Sequence, residues 1–174
     1  TLASLLREHG YQTFMAGKWH LNGGLGDENH TQPQDHGFDS WMANHGFAIP
    51  NHKNPENFYK NGKPLGPVKG YSAQLAVDQA YEWIQHRDRT RPFFLYLPFN
   101  EPHSEIASPS IFLELYREHM IGGVDLDTLT DNGPGEYYAN ISHLDYQVGR
   151  VMNLLDQYGL RENTICIFAS ECVS

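Results

Sequence analysis

The chain has 174 residues, of which 40% are hydrophobic and 19% charged, and carries a net charge of -9 with ten histidines and two cysteines. Its length and apolar share suffice for one core of ordinary domain size. The acidic balance and the lack of any basic cluster argue against nucleic acid and membrane surfaces as partners, and no apolar run approaches the roughly 20 residues of a membrane-spanning helix. No basic start followed by an apolar segment marks a signal peptide. Thr1 opens directly on a helical pattern with no initiator Met, so the chain reads as an excerpt whose targeting signal would lie upstream.

Thr1 is placed to cap a helix, with Leu2, Leu5, Leu6 and His9 on one face and Gly10 closing it. Tyr11 to Gly17 is β-rich and alternating, which predicts a strand. Gly17 lets the backbone turn or approach a ligand closely. Lys18 and His20 follow, two residues apart, where an extended chain points both to one face. Lys18 can hold an anionic oxygen as a point charge, and His20 can donate a hydrogen bond or move a proton near neutral pH. A surface lysine and a satisfied histidine on a turn is the plain alternative.

From Leu21 to Pro67 the pattern dissolves into Gly, Asn, Pro and His, predicting a functional excursion over the sheet edge. Phe38 and Trp41 are expected to anchor it to the core. Trp41, His45, Asn51 and His52 would suit a sugar but suit plain packing better. Ser72 is placed to cap a second helix with Ala76, Ala80, Trp83, Ile84 and Arg87 on one stripe. Phe93 to Phe99 is a nearly unbroken apolar run, expected for a strand buried on both faces of a parallel sheet. It ends in the polar cluster Asn100-Glu101-Pro102-His103.

A helix is predicted from about Pro109 to His119, then a Gly/Asp-rich loop, then a long helix from about Glu136 to Tyr158 with Ile141, Leu144, Val148, Val151 and Leu155 as its buried stripe. Thr164 to Ala169 reads as a third buried strand, with Cys166 packed in it as a small hydrophobe. Three helix-then-strand units argue for an α/β domain with a largely parallel sheet. In such sheets ligands collect at the carboxyl ends of the strands. Lys18 and His20, Asn100 and His103, and Glu171 all fall there. Converging cations, imidazoles and a carboxylate suit hydrolysis of an anionic ester, where charge develops on sulfuryl or phosphoryl oxygens. Three unrelated polar termini, which any α/β protein has, are the bland alternative.

Gly10-Tyr11-Gln12-Thr13-Phe14-Met15-Ala16-Gly17-Lys18-Trp19-His20 resembles the second signature of the sulfatase family, a Gly-Tyr, then a Thr or Ser, then Gly-Lys-x-His. His36-Gly37-Phe38-Asp39, the run from Pro92 to His103, and Tyr137 to Asp145 followed by Asn163-Thr164-Ile165 are similar to later segments of the same family. The resemblance implies a partial alkaline-phosphatase-like α/β/α sandwich. Residues 1–174 would form part of a single sulfatase catalytic domain, with its nucleophile segment upstream and its C-terminal portion downstream. It implies hydrolysis of aryl or carbohydrate sulfate esters, and a periplasmic, secreted or lysosomal location. By the same resemblance, Lys18 steadies the sulfate and the nucleophile, His20 assists proton transfer on the nucleophile, and His103 contacts the sulfate and helps protonate the leaving oxygen. Asn100 would orient its loop, and His143 and Asp145 would serve packing or capping.

The departures are specific. The family nucleophile is a formylglycine made within Cys/Ser-x-Pro-x-Arg, and no Cys or Ser here is followed two residues later by Pro. The family binds calcium or magnesium through four residues, of which only Glu171 has a counterpart, in place of the usual Asp, and Cys172 offers a soft sulfur unsuited to a hard cation. A phosphonate or phosphodiester hydrolase of the same superfamily, or a non-catalytic sulfatase-like relic, would show the same segments. These 174 residues alone are expected to bind metal weakly and to lack turnover.

Overall fold

The computed structural model describes residues 1–21, 23–120 and 133–170. Helix α1 (Leu2–Glu8) begins where expected, because the Thr1 hydroxyl oxygen accepts the Ser4 N–H at 3.0 Å. It ends before Gly10, whose φ of +87° only glycine adopts without strain. Its packing differs from the predicted stripe: Ala3 is buried, while Leu2 and Leu5 are exposed. The cause is backbone proximity. A Cβ on Gly37 would stand 2.3 Å from the Ser4 nitrogen, so the helix rests on this turn through its small residues, not its leucines.

Strand β1 (Gln12–Trp19) is an inner strand of a five-stranded sheet, paired on both sides. Strand β2 (Ser40–His45) lies parallel to it on one side, with the antiparallel β3 (Phe58–Lys60) and β4 (Lys63–Pro64) beyond. Strand β5 (Phe93–Tyr96) lies parallel on the other side, giving the order β4-β3-β2-β1-β5. The predicted excursion from Leu21 to Pro67 thus contributes three strands of this sheet. Phe38 and Trp41 do anchor it, both buried in a cluster with Met15, Trp19 and Ala43.

The opposite face carries Phe14 and Ala16 against Ala76 of α2 (Ser72–His86), with Trp83 stacked on Phe14 at 5.2 Å. Helices α3 (Ser110–Leu115) and α4 (Pro134–Gln157) complete this side, α4 lying against both α2 and α3. The α/β class with helices on both faces is as expected. The predicted helix to His119 breaks at Tyr116 into α3 and a short 3-10 turn.

Three further expectations are corrected. The predicted strand Phe93–Phe99 is regular only to Tyr96, and its side chains are half-buried or exposed. Pro98 has no N–H for the ladder, and β5 is the edge of the described sheet. Thr164–Ala169 is no strand: it forms no sheet pairing with the described residues, and Ile165, Ile167 and Phe168 are 89%, 86% and 70% exposed. Cys166 is exposed with them. An apolar β-prone run becomes a strand only where another backbone completes its hydrogen bonds. Finally, α4 turns Asn140, His143 and Gln147 inward along with Leu144, Leu154 and Leu155, while Ile141 of the predicted stripe is 39% exposed. Polar partners across the interface, described below, draw that face in.

Candidate active site

Lys18 and His20 stand at the carboxyl end of β1. Lys18 continues the face of Phe14 and Ala16, and its backbone N–H donates to the Pro98 carbonyl at 2.7 Å, drawing the segment after β5 against the end of β1. Gly17 is what permits this. A Cβ there would stand 1.9 Å from the Pro98 oxygen, and its φ is +130°. The close approach anticipated at Gly17 is therefore to the neighbouring backbone.

In the parallel register Lys18 stands opposite Asn44, so their side chains share a face. Asn44 is fully buried and exchanges two amide hydrogen bonds with Asn100, at 3.0 and 2.9 Å. This reciprocal pair pins the loop after β5 to the end of β2. From it the chain turns, with the His103 N–H donating to the Asn100 carbonyl at 2.9 Å, and presents His103 at the surface. Its Nδ1 contacts the Ser104 carbonyl. His20 is exposed and meets His45 edge-on, ring centroids 5.7 Å apart. Lys18, His20 and His103 therefore occupy the same end of the sheet. Glu171 lies outside the described residues, as does Cys172.

Behind this edge lies a buried polar network that sequence patterns leave unmarked. Ser72 was expected to cap α2 with its own oxygen. Instead Glu101, 5% exposed, does so: a carboxylate oxygen accepts the Ala73 N–H at 2.9 Å and the Ser72 hydroxyl. An anion at a helix N-terminus meets both unpaired N–H groups and the positive end of the helix dipole. His52, fully buried, lies 3.8 Å from the same oxygen and accepts the Asn140 side-chain N–H at Nδ1 at 3.2 Å. On α4, Gln147 donates to His143 at 2.9 Å and accepts from Arg150 at 2.9 Å, and Arg150 pairs with Asp78 at 2.6 Å. Burial pushes the His52 and His143 imidazoles below their ordinary values, and the Glu101 carboxylate offsets only part of this. Both rings are therefore neutral structural groups at physiological pH.

Trp41 and His52 are thus core residues, and Asn51 is half-buried. The exposed aromatic near the site is Phe47, which stacks on His103 at 5.4 Å and 8° between ring planes. No period or motif in the sequence marks Phe47, Asn44 or Glu101. His36, half-buried, packs edge-on against Trp19 at 5.2 Å, a packing contact at the turn before Phe38. Among the described residues no group of three or more His, Cys, Asp or Glu is placed to hold a metal ion. They do not build the oxygen-rich cage that calcium or magnesium requires.

The sulfatase family profile matches residues 1–171. The uncharacterized sulfatase YdeN of Escherichia coli (strain K12) is 30% identical over 190 residues, covering 98% of this chain and 32% of that protein. An arylsulfatase of Klebsiella aerogenes is 25% identical over 226 residues, covering 98% of this chain and 46% of that protein. This chain therefore spans less than half the length of either relative. Among solved structures, Ps i-CgsB in complex with k-i-k-neocarrahexaose superposes with a TM-score of 0.71 at 21% identity, covering 91% of this chain and 37% of that one. BT4656 in complex with its substrate D-glucosamine-2-N,6-O-disulfate gives 0.68 at 20% identity, covering 94% and 47%. The shared architecture is the alkaline-phosphatase-like α/β fold, and with the profile matching nearly every residue, the chain belongs to the sulfatase family.

Proposed function

We propose that the polypeptide carrying this chain hydrolyses sulfate esters of aryl alcohols or carbohydrates. The observation that carries the proposal is the bridge from Lys18 through the Asn44–Asn100 amide pair to His103. It sets a cation and an imidazole, with His20 two residues on from Lys18, at the carboxyl end of the strands, where α/β folds bind ligands. Lys18 holds a sulfate oxygen and balances charge that builds on it as the sulfur is attacked. His103 donates a proton to the leaving oxygen as the S–O bond to the alcohol breaks. His20 takes or returns the proton of the attacking oxygen. No Cys/Ser-x-Pro-x-Arg motif supplies that oxygen from these 174 residues, so they are assigned binding and proton transfer. The names of relatives such as the N-acetylgalactosamine-6-sulfatase of Mus musculus, 28% identical, support a sulfate ester as substrate.

The test is a leaving-group series of aryl sulfates on the polypeptide that carries the chain. His103→Ala should slow poor leaving groups most, because acid assistance matters there, with losses of about 10²–10⁴-fold. Lys18→Ala should slow all of them alike. Equal losses across the series would remove the acid role of His103. Preferential cleavage of a phosphodiester would replace the sulfatase reading.

A further inference from the structure

Phe47 is set apart by its place: a large aromatic side chain 44% exposed, with one ring face on His103. The segment that carries it is held from two sides. The Asn57 side chain donates to the Phe47 carbonyl at 2.9 Å and accepts the Ile49 N–H at 3.0 Å. The Gly46 N–H donates to the Trp19 carbonyl at 3.0 Å, tying the end of β2 to the end of β1. The ring is thus a fixed platform. Ile49 follows it at 50% exposure, and Leu21, directly after His20, is 71% exposed. Apolar surface therefore adjoins the candidate site at the end of the strands that bear it.

A sulfate ester has two halves with opposite needs. The sulfate wants the cation and the N–H donors, and the carbon skeleton wants apolar contact. We infer that Phe47 is the platform for the flat apolar face of the ring that carries the sulfate, and that it selects ring-bearing sulfate esters over open-chain ones. This rests on the reading of Lys18 and His103 as the sulfate site, for the ring must continue from an ester oxygen beside His103. An aryl ring and the C–H face of a pyranose offer the same chemistry, a flat patch of polarised C–H or π surface. Ring contacts of this kind are favourable beyond simple area burial. The clamp from Asn57 makes the platform preorganised, so little ordering is lost when a ring lies on it.

The test is binding to the chain itself, with inorganic sulfate, ethyl sulfate, 4-nitrophenyl sulfate and glucose 6-sulfate as probes, followed by NMR titration. The ring-bearing probes should bind about three- to tenfold more tightly than ethyl sulfate, the range that one aromatic contact supplies. Phe47→Ala should abolish that preference while Lys18-dependent binding of inorganic sulfate persists, and Phe47→Trp should retain the preference. Asn57→Ala should weaken it while the Phe47 side chain is still present. The two ring probes separate the sources: whichever keeps a Phe47-dependent preference identifies an aryl or a sugar skeleton. An undiminished preference in Phe47→Ala, with Lys18-dependent sulfate binding intact, overturns this inference and leaves the sulfate site standing. Absence of any Lys18-dependent sulfate binding overturns both.

Discussion

Replacing Glu101 by alanine would strip the acceptor from the Ser72 hydroxyl and the Ala73 N–H, two donors that water does not reach at the start of α2. The loss should be about 2–3 kcal/mol, the cost of leaving buried donors unpaired beside a lost dipole interaction. For a chain of this size that lowers the thermal midpoint by roughly 4–12 °C, readable by circular dichroism. Glu101→Gln keeps one acceptor oxygen and should recover part of it. An unchanged midpoint in Glu101→Ala would show that Glu101 does not cap the helix. At this scale the sequence was informative about chemistry but not about support. Lys18, His20 and His103 were nameable because cations and imidazoles at strand ends announce themselves, and a family signature repeats them. Glu101 sits two residues before His103 and passes for an ordinary loop carboxylate until α2 is seen to start on it. Gly17 stands out in the sequence, but the need for its missing Cβ, room for the Pro98 carbonyl, arises only when the β5 loop folds against it.

Elements with one strong local signal were legible in advance. The Thr1 cap, the Gly10 stop, β1 and the span of α4 follow from capping chemistry and periodicity. Those defined by partners were not. Strand β2 reads Ser-Trp-Met-Ala-Asn-His, without alternation and between glycine-rich stretches, yet it lies beside β1 because Trp41 and Ala43 fill the core on one face while Asn44 holds the β5 loop on the other. The Thr164–Ala169 run erred the opposite way, since its composition is that of a strand and no described backbone pairs with it. The inward face of α4 departs from the hydrophobic pattern for a related reason. Asn140, His143 and Gln147 are polar, and polarity alone predicts exposure, but each has a partner across or along the helix that makes burial tolerable.

Over the whole molecule, the buried histidines couple stability to acidity. His52 and His143 both take up protons less readily in the folded chain than in the unfolded one, because burial disfavours the imidazolium. Their contribution is therefore fully present above the unfolded value of about 6.5 and is lost as the pH falls from there toward the folded values. Stability should decline below about pH 6.5, with a slope of at most about 1.4 kcal/mol per pH unit for each histidine. Denaturant melts at stepped pH check this. His143→Gln should flatten the curve, and an acid slope unchanged in His143→Gln and His52→Gln would assign the decline to other groups.

The exposed ribbon from Thr164 to Ala169 has a consequence for how copies of the chain behave toward one another. Its six residues carry no charge and no proline, and β5 pairs on one side only among the described strands. An edge strand and a β-prone ribbon are complementary surfaces on one molecule. A ribbon from one copy on the edge of the next makes a head-to-tail contact that no two-fold axis closes, so growth is open-ended. The purified chain should scatter light increasingly with concentration, and Ile167→Lys, which puts a charge in the middle of the ribbon, should suppress that scattering without moving the thermal midpoint.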